Sequence, residues 1–190
     1  MFIVVRHGRT RSNAAGLFLG HADPPLDVRG EAQADAVAAA LEGASRVVTS
    51  PLQRAVQTAE RIAARSGVPV EVDRRFIELD YGEWDERPLA DVDPGEWAAW
   101  RSDLAFAPPG GESLHALGER VRAGLDDLVE SARRSDVVIV THVSPLKAAI
   151  AWSLGVGDEV AWRMFVEPAA ICRIDVGRGI PSLHSFGERA

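Results

Sequence analysis

Two histidines stand directly behind buried-looking apolar runs. Phe2-Ile3-Val4-Val5 leads into Arg6-His7-Gly8, and Val137-Val138-Ile139-Val140 leads into Thr141-His142. A third run, Arg46 to Thr49, opens into Ser50-Pro51-Leu52-Gln53-Arg54. An imidazole changes charge near neutral pH and serves as nucleophile or proton carrier. A guanidinium presents a planar fork of donors that matches phosphate oxygens. Two imidazoles and two arginines at strand ends describe a phosphate site better than any other common ligand. Positions 7 and 142 are far apart along the chain, so the fold must bring them together.

The elements that would do so follow from the pattern. Short apolar runs alternate with longer amphipathic stretches, which predicts an α/β fold: a three-layer sandwich with a mostly parallel central sheet flanked by helices. Strands are expected over 2–5, 46–49, 68–72 and 136–141, and near 170–176 and 181–186. A helix is expected over 27–41 behind Asp27. Another should start with Ser50 as N-cap and Pro51 in its first position. Leu114, Leu117, Val121, Leu125 and Leu128 mark a helical stripe. A last helix should start at Ser144-Pro145 by the same cap-and-proline device. Ligands of open parallel sheets bind outside the carboxyl ends of the strands, which gathers Arg6, His7, Arg54 and His142 around one crevice. Residues 84–112 hold several prolines and a short helical piece around Trp97 and Trp100. They read as an excursion over the active site within a single domain spanning 1–190.

Composition narrows the partners. The chain has 190 residues, 46% of them hydrophobic and 26% charged, a globular mixture. With 21 basic against 28 acidic residues the formal charge is −7, which argues against general nucleic-acid binding and leaves room for a local pocket of arginines. Cys172 is the one cysteine, which excludes an internal disulfide and cysteine-based zinc or iron–sulfur sites. No apolar run reaches the ~18 residues of a membrane span, and the apolar N-terminal run is too short for a signal-peptide core. The expectation is a cytoplasmic protein without a membrane partner, monomeric or homodimeric. Lys147 is the only lysine, so most lysine chemistry is excluded as well.

Several blocks occur in a telling order: Arg6-His7-Gly8, His21 to Leu26 with Gly30 and Gln33, Ser50 to Ala55 with Thr58-Ala59, Glu78 followed by Gly82, Gly110-Gly111-Glu112-Ser113, and Thr141-His142. Together they resemble the histidine phosphatase superfamily, in the branch with cofactor-dependent phosphoglycerate mutases and alpha-ribazole phosphatases, and the resemblance covers essentially the whole chain. It implies a phosphoglycerate mutase-like fold and His7 as a nucleophile that passes through a phosphohistidine. It further implies that Arg6, Arg54 and His142 hold the phosphoryl oxygens, that Glu78 donates the proton, and that Thr10, Asn13 and Val143 lie beside the substrate. Elementary chemistry agrees. Phosphoryl transfer needs positioning and charge stabilisation, neighbouring arginines keep an imidazole neutral and nucleophilic, and a leaving alkoxide needs a proton. The implied activity is metal-independent hydrolysis of a small phosphorylated metabolite, with no metal or other cofactor. One alternative is a phosphoglycerate mutase-type phosphoryl transferase, disfavoured by the short chain and short excursion. A second is a non-catalytic phosphate-binding module, disfavoured because both nucleophile and acid candidates are kept.

Blander assignments hold for other residues. His21 and Asp23 belong to a loop, with His21 lining the entrance; His115 and His184 carry no motif; Trp97 and Trp100 pack; Cys172 is an inert core residue. Asp80, Glu83 and Asp85 compete with Glu78 as proton donor, and Arg87 and Arg101 either face solvent or select substrate. The chain also departs from the family pattern. Arg9 stands where a glutamate or glutamine is common, Val143 where glycine is frequent, and Trp84-Asp85-Glu86 where Trp-Glu-Gly is frequent. These departures bear on the substrate more than on the reaction.

Overall fold

Strands β1 (Phe2–Arg6), β2 (Arg46–Thr49), β3 (Val70–Val72), β4 (Val137–Thr141), β5 (Ile171–Asp175) and β6 (Ser182–Glu188) form one sheet in the order β3-β2-β4-β1-β5-β6 in the computed structural model, which describes residues 1–190. The four strands from β3 to β1 run parallel, β5 is antiparallel to β1, and β6 is antiparallel to β5. The helices are α1 (Arg11–Ala14), α2 (Val28–Ala40), α3 (Gln53–Ser66), α4 (Pro94–Ser102), α5 (Leu114–Arg134) and α6 (Val143–Leu154).

Side chains alternate across a strand, and here both faces are apolar. Phe2 and Val4 of β1 and Val137 and Ile139 of β4 join Val121, Leu125, Leu146 and Ile150 from α5 and α6. Ile3 and Val5, with Val138 and Val140, join Val37, Ala55, Ala59 and Ile62 from α2 and α3. Double-sided burial explains why these strands lack polar alternation. Each such fully buried aliphatic side chain contributes about 1.5–3 kcal/mol, so the central strands are the most rigid part of the molecule. They give the expected three layers.

Register then does the positioning. Arg6 lies opposite Thr141 on parallel neighbours, so the next residues, His7 and His142, leave the sheet side by side. The His7 N–H donates to the Thr141 carbonyl at 2.9 Å, and the Ser50 N–H donates to Val140 at 3.0 Å.

Three expected boundaries are corrected. Ser50 does not cap α3, which starts at Gln53 behind Leu52 without a side-chain cap; the Ser50 hydroxyl is instead 2.6 Å from His142 Nε2. α6 starts at Val143 with His142 in the cap position, one residue before the expected cap at Ser144. A distant carboxylate, described below, satisfies its first N–H groups. β3 starts at Val70 rather than 68, because Pro69 has no N–H for the ladder. Asp27 and Ser113 do cap α2 and α5, accepting from Gly30 and Ala116 at 2.8 and 3.1 Å. No helix is long and apolar enough to cross a membrane.

Residues 84–112 hold a short turn over Leu89–Asp91 and the helix α4, fastened by aromatic rings. Trp100 is buried, with its ring 4.7 Å from Trp162 and 5.5 Å from Trp84, so Trp97 and Trp100 pack as expected. Gly82 is obligatory here. Its φ is +53°, and a Cβ would lie 2.2 Å from the Pro109 carbonyl oxygen. Glu86 holds φ +61° with an exposed side chain. A left-handed non-glycine residue costs roughly 1–2 kcal/mol, and glycine's extra unfolded-state entropy offsets about 0.4–1 kcal/mol of that. Glu86→Gly is therefore expected to stabilise the fold by about 0.5–1 kcal/mol, read as a raised urea midpoint; an unchanged or lowered midpoint would contradict the strain.

Candidate active site

The two imidazoles meet edge to face, with ring centroids 4.9 Å apart at 62°. Both are buried. His7 Nδ1 lies 2.7 Å from the Gly8 carbonyl oxygen. A carbonyl only accepts, so Nδ1 carries the hydrogen and Nε2 keeps its lone pair. Burial holds the His7 pKa well below the usual imidazole value, helped by the charges of Arg54 and Arg6. His142 is pushed down in the same way, by burial first, then by Arg54, His7, Arg6 and Arg120.

The two arginines are held by carbonyls, not by carboxylates. Arg54, fully buried in the first turn of α3, donates to the carbonyls of Gly20 and Ala22 at 2.7 and 2.8 Å. Arg6 donates to the Val166 carbonyl at 2.6 Å. Burial lowers both pKa values, that of Arg54 to about 10 against the opposing pull of Glu78, Asp23 and Asp85. Both remain cations at neutral pH. Arg6 Nε, Arg54 Nε and His142 Nδ1 are enclosed and have no hydrogen-bond partner. Unsatisfied buried polar groups cost about 1–3 kcal/mol each, and a bound oxyanion offers acceptors where such donors gather.

Glu78 is the buried carboxylate of this cluster, 2% exposed. Its Oε1 accepts from the N–H groups of Leu79 at 2.8 Å and Ser144 at 3.2 Å, and its Oε2 accepts from Val143 at 3.1 Å. It thus sits on the N-terminus of α6, where the helix dipole favours a negative group, next in chain to His142. Its three rivals are otherwise engaged. Asp85 binds the N–H groups of Gly20 and Ala22, both at 2.7 Å, Asp80 binds that of Gly82 at 2.9 Å, and Glu83 is exposed.

The remaining expected site residues do different things. Thr10 and Asn13 cap α1 reciprocally at 3.1 and 3.2 Å, and Asn13 also borders a cavity that Arg6 reaches. Val143 takes part through its N–H. Arg9 is tied to Asp27 at 2.8 Å, so it adds little free charge. His21 Nε2 lies 3.1 Å from the Glu78 carbonyl and its Nδ1 3.4 Å from Asp80. Arg87 and Arg101 are exposed, Arg101 resting over Trp162, and His115 and His184 are exposed too.

Sequence reasoning missed two clamps. Arg120 donates to the carbonyls of Arg75, Ile77 and Glu78 at 2.7, 2.7 and 3.0 Å while paired at both ends with Glu112 at 2.8 Å. It fixes the segment that carries Glu78. Asp85 fixes the loop whose carbonyls grip Arg54. The Glu112 of the Gly-Gly-Glu-Ser block was visible as a motif; its arginine partner on α5 carried no signal of its own.

A mostly parallel sheet with two buried histidines and two arginines gathered at the carboxyl ends of its strands defines a class. The model of the histidine phosphatase superfamily (branch 1) matches residues 2–189, and the chain belongs to that superfamily. It is 31% identical over 193 residues to the adenosylcobalamin/alpha-ribazole phosphatase of Escherichia coli, covering 98% of this chain and 95% of that one. A bifunctional protein of Mycobacterium tuberculosis is 33% identical over 175 residues, 89% of this chain. The match spans 48% of that longer relative, about half its length. Among solved structures, a mycobacterial glucosyl-3-phosphoglycerate phosphatase in complex with VO3 superposes with a TM-score of 0.89 at 28% identity, covering 98% of each chain.

The neutral imidazoles make stability depend on pH. Their folded pKa values lie below the unfolded value of about 6.5, so below that pH the unfolded chain binds protons that the folded chain refuses. Stability is then full above pH ~6.5 and falls as pH drops toward the folded values, by about 1.4 kcal/mol per pH unit for each histidine. Urea unfolding between pH 6.5 and 5.5 is expected to show a loss of about 1 kcal/mol per histidine, short of that limit because the unfolded rings are only half protonated at pH ~6.5, and the loss should be smaller in His142→Asn; a flat profile there would mean that the rings titrate normally.

Proposed function

We propose that this protein hydrolyses small phosphomonoesters through a phosphohistidine at His7, with no metal taking part. The observation that carries the reading is the 2.7 Å contact from His7 Nδ1 to the Gly8 carbonyl, which aims an unprotonated Nε2 at an incoming phosphorus. Nε2 attacks, the P–O bond to the leaving group breaks, and negative charge spreads over three equatorial oxygens. Arg6, Arg54 and His142 stabilise that charge, in a site where burial strengthens every interaction. The acidic proton that the ester carries as its monoanion passes to Glu78, which gives it to the leaving alkoxide. Glu78 Oε2 accepts one N–H against two at Oε1, which leaves Oε2 the room to carry that proton. The alcohol leaves; Glu78 then takes a proton from the water that attacks the phosphohistidine, the P–Nε2 bond breaks, and phosphate departs with that proton. Thr10 and Asn13 shape the floor of the site, and Val143 supports Glu78.

The whole chain, in this reading, is one domain. Residues 84–112 reach the Val143 side of the site through Trp100, which lines a small cavity of about 70 Å3 there with Tyr81, Val143, Ser144 and Trp162. The partner is a small phosphorylated metabolite.

Quenching the wild type in alkaline detergent during turnover is expected to trap an acid-labile, alkali-stable phosphoenzyme, and His7→Ala should lose both this species and turnover. Activity surviving in that variant would remove His7 from the mechanism. Isomer without free phosphate from 3-phosphoglycerate with a bisphosphoglycerate primer would mark a mutase instead. Arg54→Ala should lower kcat/KM by about two orders of magnitude, roughly 3 kcal/mol of transition-state stabilisation; a loss under about fivefold would place its charge outside the transition state.

A further inference from the structure

Beside Arg6 opens a cavity of about 470 Å3, the size of sites that hold whole small molecules rather than a lone phosphoryl group. Phe165 lines it and is 77% exposed. Its backbone, by contrast, is firmly held. The next residue, Val166, is buried and gives its carbonyl to Arg6 at 2.6 Å. Further along, Ala169 donates to the His7 carbonyl and Ala170 accepts from the Arg6 N–H, both at 3.0 Å. The loop that seats Arg6 therefore carries an exposed aromatic ring beside it. Leu17 adds a second apolar wall.

Most of the polar groups left over around this cavity are donors, the Glu167 carboxylate being the acceptor among them. The Gln33 carbonyl oxygen is taken by the Arg9 N–H at 2.9 Å, and that of Asn13 by Thr10 at 3.1 Å, so each amide turns its NH2 to other partners. Arg9 is paired with Asp27, and Glu167 lies 3.5 Å from Arg189. Arg29 lines the same cavity, is exposed, and its side chain makes no ion pair. One ring face, two amide NH2 groups and one free guanidinium suit a leaving group that is cyclic and rich in acceptors.

We propose that the substrates are phosphomonoesters of a ring-bearing, acceptor-rich alcohol, whose ring packs on Phe165 while an anionic or acceptor group meets Arg29. This rests on the phosphatase reading above.

A matched pair tests it: 2-(2-naphthyl)ethyl phosphate against ethyl phosphate, whose leaving alkoxides are of similar basicity. The wild type is expected to favour the naphthyl ester by about tenfold in kcat/KM, the size of a ring–ring contact plus its burial. Phe165→Ala should collapse the ratio and Phe165→Tyr should keep it. For the second contact, 4-(2-phosphooxyethyl)benzoate should be preferred to 2-phenylethyl phosphate, and Arg29→Gln should erase that preference. The same ratios read as dissociation constants by calorimetry on His7→Ala need no turnover. Equal binding of the matched esters there, or a ring preference untouched by Phe165→Ala, overturns this proposal. A ring preference kept in binding, with no turnover of any ester by the wild type, supports it and overturns the hydrolytic step alone.

Discussion

The site depends on two guanidinium cations, Arg54 fully buried and Arg6 partly so, that no carboxylate pairs. Arg6 and Arg54 are fixed by carbonyl oxygens of Val166, Gly20 and Ala22, which accept hydrogen bonds without bringing a formal negative charge. An ion pair with a carboxylate would have held them as firmly and would have removed the field that a phosphate dianion needs. The carboxylate that does lie near, Glu78, spends its hydrogen bonds on the N–H groups of Leu79, Val143 and Ser144. The pocket is thus basic inside a chain of formal charge −7, and burial, with the same field behind it, keeps His7 and His142 unprotonated.

Holding bare cations in this way places demands on loops. The carbonyls that grip Arg54 belong to residues 20–22, which have no regular structure, and Asp85 pins that loop through the N–H groups of Gly20 and Ala22. The Glu78 segment is likewise irregular, and Arg120, itself forked onto Glu112, pins it through three carbonyls. A further close approach, Gly8 against Gly30, where a Cβ on Gly8 would stand 2.4 Å from the Gly30 carbonyl, packs the turn behind His7 onto the start of α2. Charges that hold loops here are spent away from the phosphate, and the strands supply the fixed frame. Positional precision of this kind matters because displacements of about 1 Å can cost a hundredfold in rate.

The strands were legible because double-sided burial writes itself as unbroken apolar runs, and β1, β2 and β4 came out within a residue of their ends. The site residues behind them were legible for the same reason: a polar residue directly after such a run has to emerge at the sheet edge. The helix starts at Ser50 and Ser144 were misread because local cap rules assume that a helix satisfies its own N–H groups. In α6 that task falls to Glu78, 65 positions upstream of Val143, and Ser50 is drawn away by His142. Such long-range substitutions leave no local trace. Arg120 and the role of Asp85 were hidden likewise, since one charged residue on a helix or loop looks like any other until its partners are known. Arg9 shows the reverse: an added cation that suggested substrate recognition is spent on Asp27.

Keeping Arg6 Nε, Arg54 Nε and His142 Nδ1 enclosed without acceptors is destabilising, and so is excluding protons from two imidazoles. Such costs are tolerable only where the surrounding structure is rigid enough to prevent the groups from relaxing onto one another. The parallel register of β1 and β4 supplies that rigidity, since it sets the spacing of His7 and His142 through backbone hydrogen bonds that no side-chain movement can undo. A tetrahedral oxyanion that meets those groups returns free energy to the folded state as well as to the complex, because it binds the folded chain and has no matching site in the unfolded one. Affinity for phosphate and stability of the fold are in this sense one quantity, divided between the free and the bound protein by how strictly the sheet holds its edge.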